Sequence, residues 1–230
     1  MTENSPYLSR GFEPLRIEYD LSSLRIEGEI PAELDGTFYR IGPSPQFAPR
    51  GIYNPLGGDG MIHAFEIHRG RVSYRNRWVR TQQWRIEREA GRAMFATSGN
   101  PADSDASVVA MRTDGVANTN LVWHGGKLLA LEEGHPPIEV HRESLDTIRG
   151  WGFNGQLPRN MTAHPKIDPE SAEMIFFANF PTGRFTGDLE LYFADAAGHL
   201  TRSQMIHARI LRWCMISRSP AISSWCSFVR

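Results

Sequence analysis

Residues 120–131 read Asn-Leu-Val-Trp-His-Gly-Gly-Lys-Leu-Leu-Ala-Leu. Two apolar runs, Asn120–His124 and Lys127–Leu131, are separated only by Gly125-Gly126. A Gly-Gly pair in that position predicts a tight β-hairpin, because both central residues of the favoured turn need a positive φ. The same pattern recurs on either side. Met61–Ile67 is apolar, His68-Arg69-Gly70 turns, and Arg71–Val79 alternates again. Met174–Asn179 and Leu189–Phe193 are further strand candidates, and Ala196-Ala197-Gly198 turns the second into Leu200–Ile206. Helical periodicity is almost confined to a charged stretch, Thr81–Arg92. The chain therefore reads as all-β. Short hairpins in series leave sandwich, barrel and propeller open, since period counting does not choose among them.

Composition narrows the function. The 230 residues are 40% hydrophobic and 22% charged, with a formal net charge of −1. That is ordinary for a globular domain with a real apolar core, and it supplies no basic field for nucleic acid. No apolar run reaches the length of a membrane-spanning helix. Met1–Tyr7 is polar and lacks the regions of a signal peptide. Both cysteines, Cys214 and Cys226, lie near the C-terminus, so the body has no disulfide framework. These features fit a cytoplasmic location.

Several segments in fixed order carry a family resemblance. They are Ser5-Pro6-Tyr7-Leu8, Gly11-Phe12-Glu13-Pro14, the run Gly28–Arg40 continuing through Gly42-Pro43-Ser44-Pro45, and Gly58-Asp59-Gly60-Met61-Ile62-His63-Ala64-Phe65. Ala117-Asn118-Thr119-Asn120, Gly125–Leu131 and Thr162-Ala163-His164-Pro165-Lys166-Ile167-Asp168-Pro169 follow. Together they resemble the N-terminal part of the carotenoid cleavage oxygenases, which include carotenoid, apocarotenoid and lignostilbene dioxygenases. Ser44 departs from the family's usual Asn. On the residues alone, the glycines serve turns and close backbone approach. His63 reads as a packed or hydrogen-bonded strand residue, and His124 as a surface residue beside its turn.

The resemblance implies the N-terminal part of a seven-bladed β-propeller, incomplete in this chain, with iron on its axis. It implies a non-haem Fe(2+) dioxygenase that splits a conjugated C=C bond with O2 into two carbonyl products. His164, in the Thr-Ala-His-Pro-Lys segment, is then one of four iron-binding histidines, and neutral imidazole suits ferrous iron. Glu133 is the carboxylate that holds the far nitrogen of a metal histidine and so fixes its tautomer. The expected partners are O2 and a small apolar polyene, with peripheral membrane contact for substrate uptake in the longer protein.

In the stilbene-cleaving branch a tyrosine and a lysine grip the phenol hydroxyl. The corresponding positions here are Ala102, after Asn100-Pro101, and Glu132. Loss of both anchors favours a carotenoid or apocarotenoid over a lignostilbene. A non-catalytic half propeller that binds an apolar ligand is the rival reading. A calcium-dependent hydrolase propeller lacks the converging acidic residues it needs.

Residues 1–207 read as propeller, and 208–230 as a frameshifted, non-native tail. Arg209–Arg230 contains two tryptophans, both cysteines and no acidic residue, and it does not alternate. The codons for Trp213-Cys214-Met215-Ile216, regrouped by one base, spell Val, His or Tyr, then Asp. With its neighbours the string can read Met-Val-His-Asp-Phe-Ala-Ile-Thr, which resembles the family's second iron-histidine motif. The chain then keeps one of four iron ligands and is expected to be an inactive fragment.

Overall fold

A computed structural model describes residues 13–51, 53–97, 101–157, 160–179 and 188–207. The proposed frame change, residues 208–230, lies outside them, as do the signature residues before Glu13. The described residues form three four-stranded antiparallel sheets and one α-helix.

The first sheet contains β1 (Asp20–Leu21), β2 (Gly36–Pro43), β3 (Gly60–His68) and β4 (Arg71–Trp78), in the order β1-β4-β3-β2. The predicted turn at His68-Arg69-Gly70 joins β3 to β4, with His68 opposite Arg71. Helix α1 (Gln82–Ala90) follows. Thr81 caps its first turn by accepting from Trp84 N, and Gly91 ends it in the left-handed conformation. Met61, Trp78 and Trp84 are the local core, with Leu15 against them. Gly60 is required by sterics, because a Cβ there would stand 2.2 Å from the Ala117 carbonyl oxygen.

The second sheet is the meander β5 (Asn120–His124), β6 (Lys127–Leu131), β7 (Ile138–Val140) and β8 (Thr147–Gly150). The Gly125-Gly126 hairpin falls where the sequence puts it. The third is the meander β9 (Lys166–Ile167), β10 (Met174–Asn179), β11 (Asp188–Ala194) and β12 (Leu200–His207). The chain divides into two compact units, Met1–Leu121 with Arg142–Thr147, and Val122–His141 with Ile148–Arg230. Among the described residues, β2 and β12 are outer strands of their sheets, and both are largely exposed.

In the second unit, Leu129 and Leu131 of β6 share a core with Phe153, Met161, Phe176 and Tyr192. Phe176 stacks on Phe153 at 5.2 Å and on Tyr192 at 5.3 Å between ring centroids. Gly125, at φ 56°, comes so close to the β11–β12 turn that a Cβ would lie 2.7 Å from Ala197 O. His124 corrects the surface reading. It is buried, and its Nε2 lies 3.0 Å from Ala172 O. A polar ring beside a turn is expected to face solvent, but here a backbone carbonyl receives it. No described helix is long and apolar enough to cross a membrane.

Candidate functional site

Strand β6 is apolar and buried from Leu128 to Leu131, then breaks into a bend at Glu133. The bend is pinned from the far side by the segment 160–164. Asn160 Nδ2 donates to Glu133 O at 2.9 Å, and Met161 N donates to His135 O at 3.3 Å. Thr162 N donates to Phe177 O of β10 at 2.8 Å. Met161, Thr162 and Ala163 are fully buried, so this stretch is a fixed part of the core despite having no regular structure.

That scaffold brings Glu133 and His164 together, 31 positions apart in sequence. His164 Nε2 stands 3.8 Å from Glu133 Oε1. Thr162 Oγ1 joins them, donating to Glu133 Oε1 at 3.5 Å and accepting from His164 N at 3.2 Å. Glu133 Oε2 is buried and has no hydrogen-bond partner among the described residues. Burial pushes the Glu133 carboxyl up to about 7, against hydrogen bonds from Ala163 N–H and Thr162 that pull it down. Burial also lowers the His164 imidazole, and the Lys166 charge adds to it. The ring is held toward its neutral form, which is the form that ligates a metal. About a third of the His164 side chain is exposed, against 10% for Glu133.

Glu132 turns away from this pair. Its Oε1 meets His135 Nδ1 in a close contact three residues along the same bend. The sequence singled out Glu132 only as a missing anchor and gave no sign of this partner. Asn160 and Thr162 were likewise invisible as positioning residues, because their role depends on a backbone path with no periodic signature. Ala102 lies in the first unit, in a short helical turn.

The residues test the implied metal directly. A carboxylate orienting a ligand histidine needs an oxygen able to receive an imidazole N–H, and Glu133 Oε2 is such an oxygen. His164 is held toward its neutral form and is partly open. Among the described residues, however, no three His, Cys, Asp or Glu side chains converge as a metal set. Each residue suits its own part, and the described set is too small to hold an ion by itself.

Comparison with known proteins supplies the wider context. The family model described as retinal pigment epithelial membrane protein, RPE65, matches residues 12–223. The lignostilbene-alpha,beta-dioxygenase isozyme III of Sphingomonas paucimobilis is 42% identical over 189 residues, covering 81% of this chain and 38% of that protein. The crystal structure of Pseudomonas brassicacearum lignostilbene dioxygenase superposes with a TM-score of 0.86 at 34% identity, over 92% of this chain and 44% of that one. Cobalt-substituted Synechocystis apocarotenoid oxygenase gives a TM-score of 0.74 at 30% identity, over 88% and 44%. The chain thus spans about 40% of the length of the relatives it matches.

Proposed function

The chain belongs to the RPE65 family, the carotenoid cleavage oxygenases, its three sheets being blades of their β-propeller, and on that premise we propose that it is part of a non-haem iron(II) dioxygenase. The reaction inserts the two atoms of O2 across a conjugated C=C bond, so that each alkene carbon leaves as a carbonyl. The observation that carries this reading is the family match over residues 12–223, which includes both His164 and Glu133.

His164 is an iron ligand in this reading. Glu133 orients an imidazole through its buried Oε2, and Thr162 keeps the two side chains in place. Bound iron(II) supplies the oxygen activation. The chain contributes an imidazole held toward its neutral form and a carboxyl group largely shielded from water.

For the substrate, the relatives include enzymes named for lignostilbene, isoeugenol and resveratrol, and a stilbene or phenylpropenoid alkene is the first reading. An apocarotenoid is the second, favoured by one observation. Glu132, in the position of the stilbene branch's lysine, is an acidic group engaged with His135. Residues 208–230 are the product of a shifted frame, a reading supported by the decoded Val-His-Asp string. The family match that continues to residue 223 weighs on the other side.

Sequencing of the gene around codon 208 tests the frame. Assay of the frame-restored protein with Fe(II), O2, a hydroxystilbene and an apocarotenal tests the function. Aldehyde formation from either alkene supports it. A frame-restored, iron-loaded protein that consumes no O2 with any conjugated alkene overturns it.

A further inference from the structure

The first unit holds a pair of buried carboxyl groups, one of them in the Gly-Asp-Gly motif that the family reading leaves without a chemical role. Asp59, in the β2–β3 connection, and Glu87, on α1, are each 4% exposed, and both line one narrow cleft. Asp59 Oδ2 accepts from Gln46 N at 3.0 Å, whereas its Oδ1 is buried and has no partner among the described residues. Glu87 Oε1 accepts from Met94 N at 2.8 Å and from Phe95 N at 2.9 Å.

No Lys, Arg or His lines the cleft, and Pro45, Phe47, Pro49, Ala93 and Phe95 supply apolar wall. The titratable groups set against Asp59 are Glu87 and Tyr53, and either one, once ionised, opposes a charge on it. Arg80 and Arg88 lie over the Trp84 ring, and Arg50 pairs with Asp105. Asp59 is also built into the start of the first sheet. Its carbonyl accepts from Ser44 N at 2.6 Å, and Gly60 N donates to Val116 O at 2.9 Å.

Two ionised carboxylates in one cleft without a cation repel each other and lose their solvation. One proton relieves both costs, and the hydrogen bonds decide where it sits. Two backbone N–H groups favour the charged form of Glu87, whereas the unpartnered Oδ1 makes Asp59 the poorer anion. We propose that folded Asp59 is a neutral carboxylic acid, and that loss of its proton is an alkaline switch that loosens the junction between the β2–β3 connection and α1. Burial, opposed by the Gln46 N–H and reinforced by the Glu87 charge, pushes the Asp59 carboxyl up to about 7. Burial raises Glu87 as well, while the Phe95 and Met94 N–H groups pull it down. A carboxyl raised above its unfolded value of 3.8 stabilises the fold in acid, and that benefit is lost as pH climbs toward about 7.

Infrared spectroscopy of the 230-residue chain, with its aspartate side-chain carboxyls labelled with carbon-13, detects the proton directly. A protonated-aspartate band should persist in mildly acidic buffer, where exposed aspartates are ionised, and fade through neutrality. It should be missing from Asp59→Asn. That variant needs no proton, so it should melt near the parent's temperature in acid and several degrees above it in alkaline buffer. Glu87→Gln removes the facing charge and should move the fading of the band to lower pH. Exposed Glu89→Gln on the same helix should leave it in place. Absence of the band from the parent chain overturns the proposal. So does a melting gap that fails to widen with pH, or a band that Glu87→Gln leaves unmoved. Should Asp59→Asn fail to fold by circular dichroism, the band in the parent and in Glu87→Gln still decides.

Discussion

His164 Nε2 and Glu133 Oε1 face each other at 3.8 Å across the bend that ends β6, with Thr162 bridging them. The separation is slightly longer than a hydrogen bond, and the second Glu133 oxygen is buried without a donor among the described residues. A ligand and an orienting carboxylate make different demands, so their variants should fail differently.

In the frame-restored protein, His164→Ala should abolish alkene cleavage and stoichiometric iron. Glu133→Gln should retain part of both, with activity or iron affinity reduced by about 10–100-fold. Metal analysis beside O2 uptake checks this. Equal and complete loss in both variants would count against an orienting role for Glu133.

The 230-residue chain, holding one of the four implied ligands, should consume no O2 with either alkene and bind no stoichiometric iron. One imidazole does not fix ferrous iron. An oxygen electrode and elemental analysis are sufficient tests, and one iron per chain with turnover would refute the expectation.

Glu132→Lys restores the basic group implied for the stilbene branch at the cost of the His135 contact. In the frame-restored protein it should raise the rate ratio of hydroxystilbene to apocarotenal. An unchanged ratio would show that this position does not read the substrate.

Gly125→Ala should be the more damaging of two neighbouring substitutions. Both glycines have positive φ, 56° and 74°, but only at Gly125 does a Cβ meet backbone, Ala197 O at 2.7 Å. Gly126→Ala should cost only the left-handed conformation, about 1–2 kcal/mol. Thermal melts compare them, and equal losses would mean that the close approach to Ala197 relaxes freely.

Asp105 accepts from Ser107 Oγ at 2.8 Å and Ser107 N at 3.1 Å, and pairs with Arg92 at 2.8 Å. Ser107 first, then Arg92, hold its carboxyl well below the ordinary 3.8. A depressed carboxyl stabilises the fold above its unfolded pKa, and the benefit is lost as pH falls toward its folded value. Asp105→Asn should therefore lower the melting temperature near neutral pH, with a gap that narrows on strong acidification. A gap constant with pH would assign the loss to the amide itself.

The hairpins were legible because alternation and turn glycines are local signals. Gly125-Gly126 and His68-Arg69-Gly70 turn where the sequence says, and α1 falls within Thr81–Arg92. The short strands β7 and β8 were not legible, since three or four residues carry no period. His124 was misread because burial of a polar ring depends on a distant carbonyl at Ala172. His164 and Glu133 came from the family resemblance. Their juxtaposition depends on Asn160, Met161 and Thr162, whose hydrogen bonds follow an irregular path that composition does not encode.

Strand β2 consists of eight residues, hydrogen-bonded to β3 along its whole length and bounding its sheet, with Phe38 61% exposed. An extended row of outward amides and carbonyls is a template that any other extended chain can join. Arg40 is the one charged side chain on the strand, and a single charge is thin protection. Yield of this chain in a cell should therefore depend on its own concentration. Slow synthesis at low temperature favours folded molecules over inclusion bodies, and a lysine in place of Phe38 shifts that balance without touching any residue of the site.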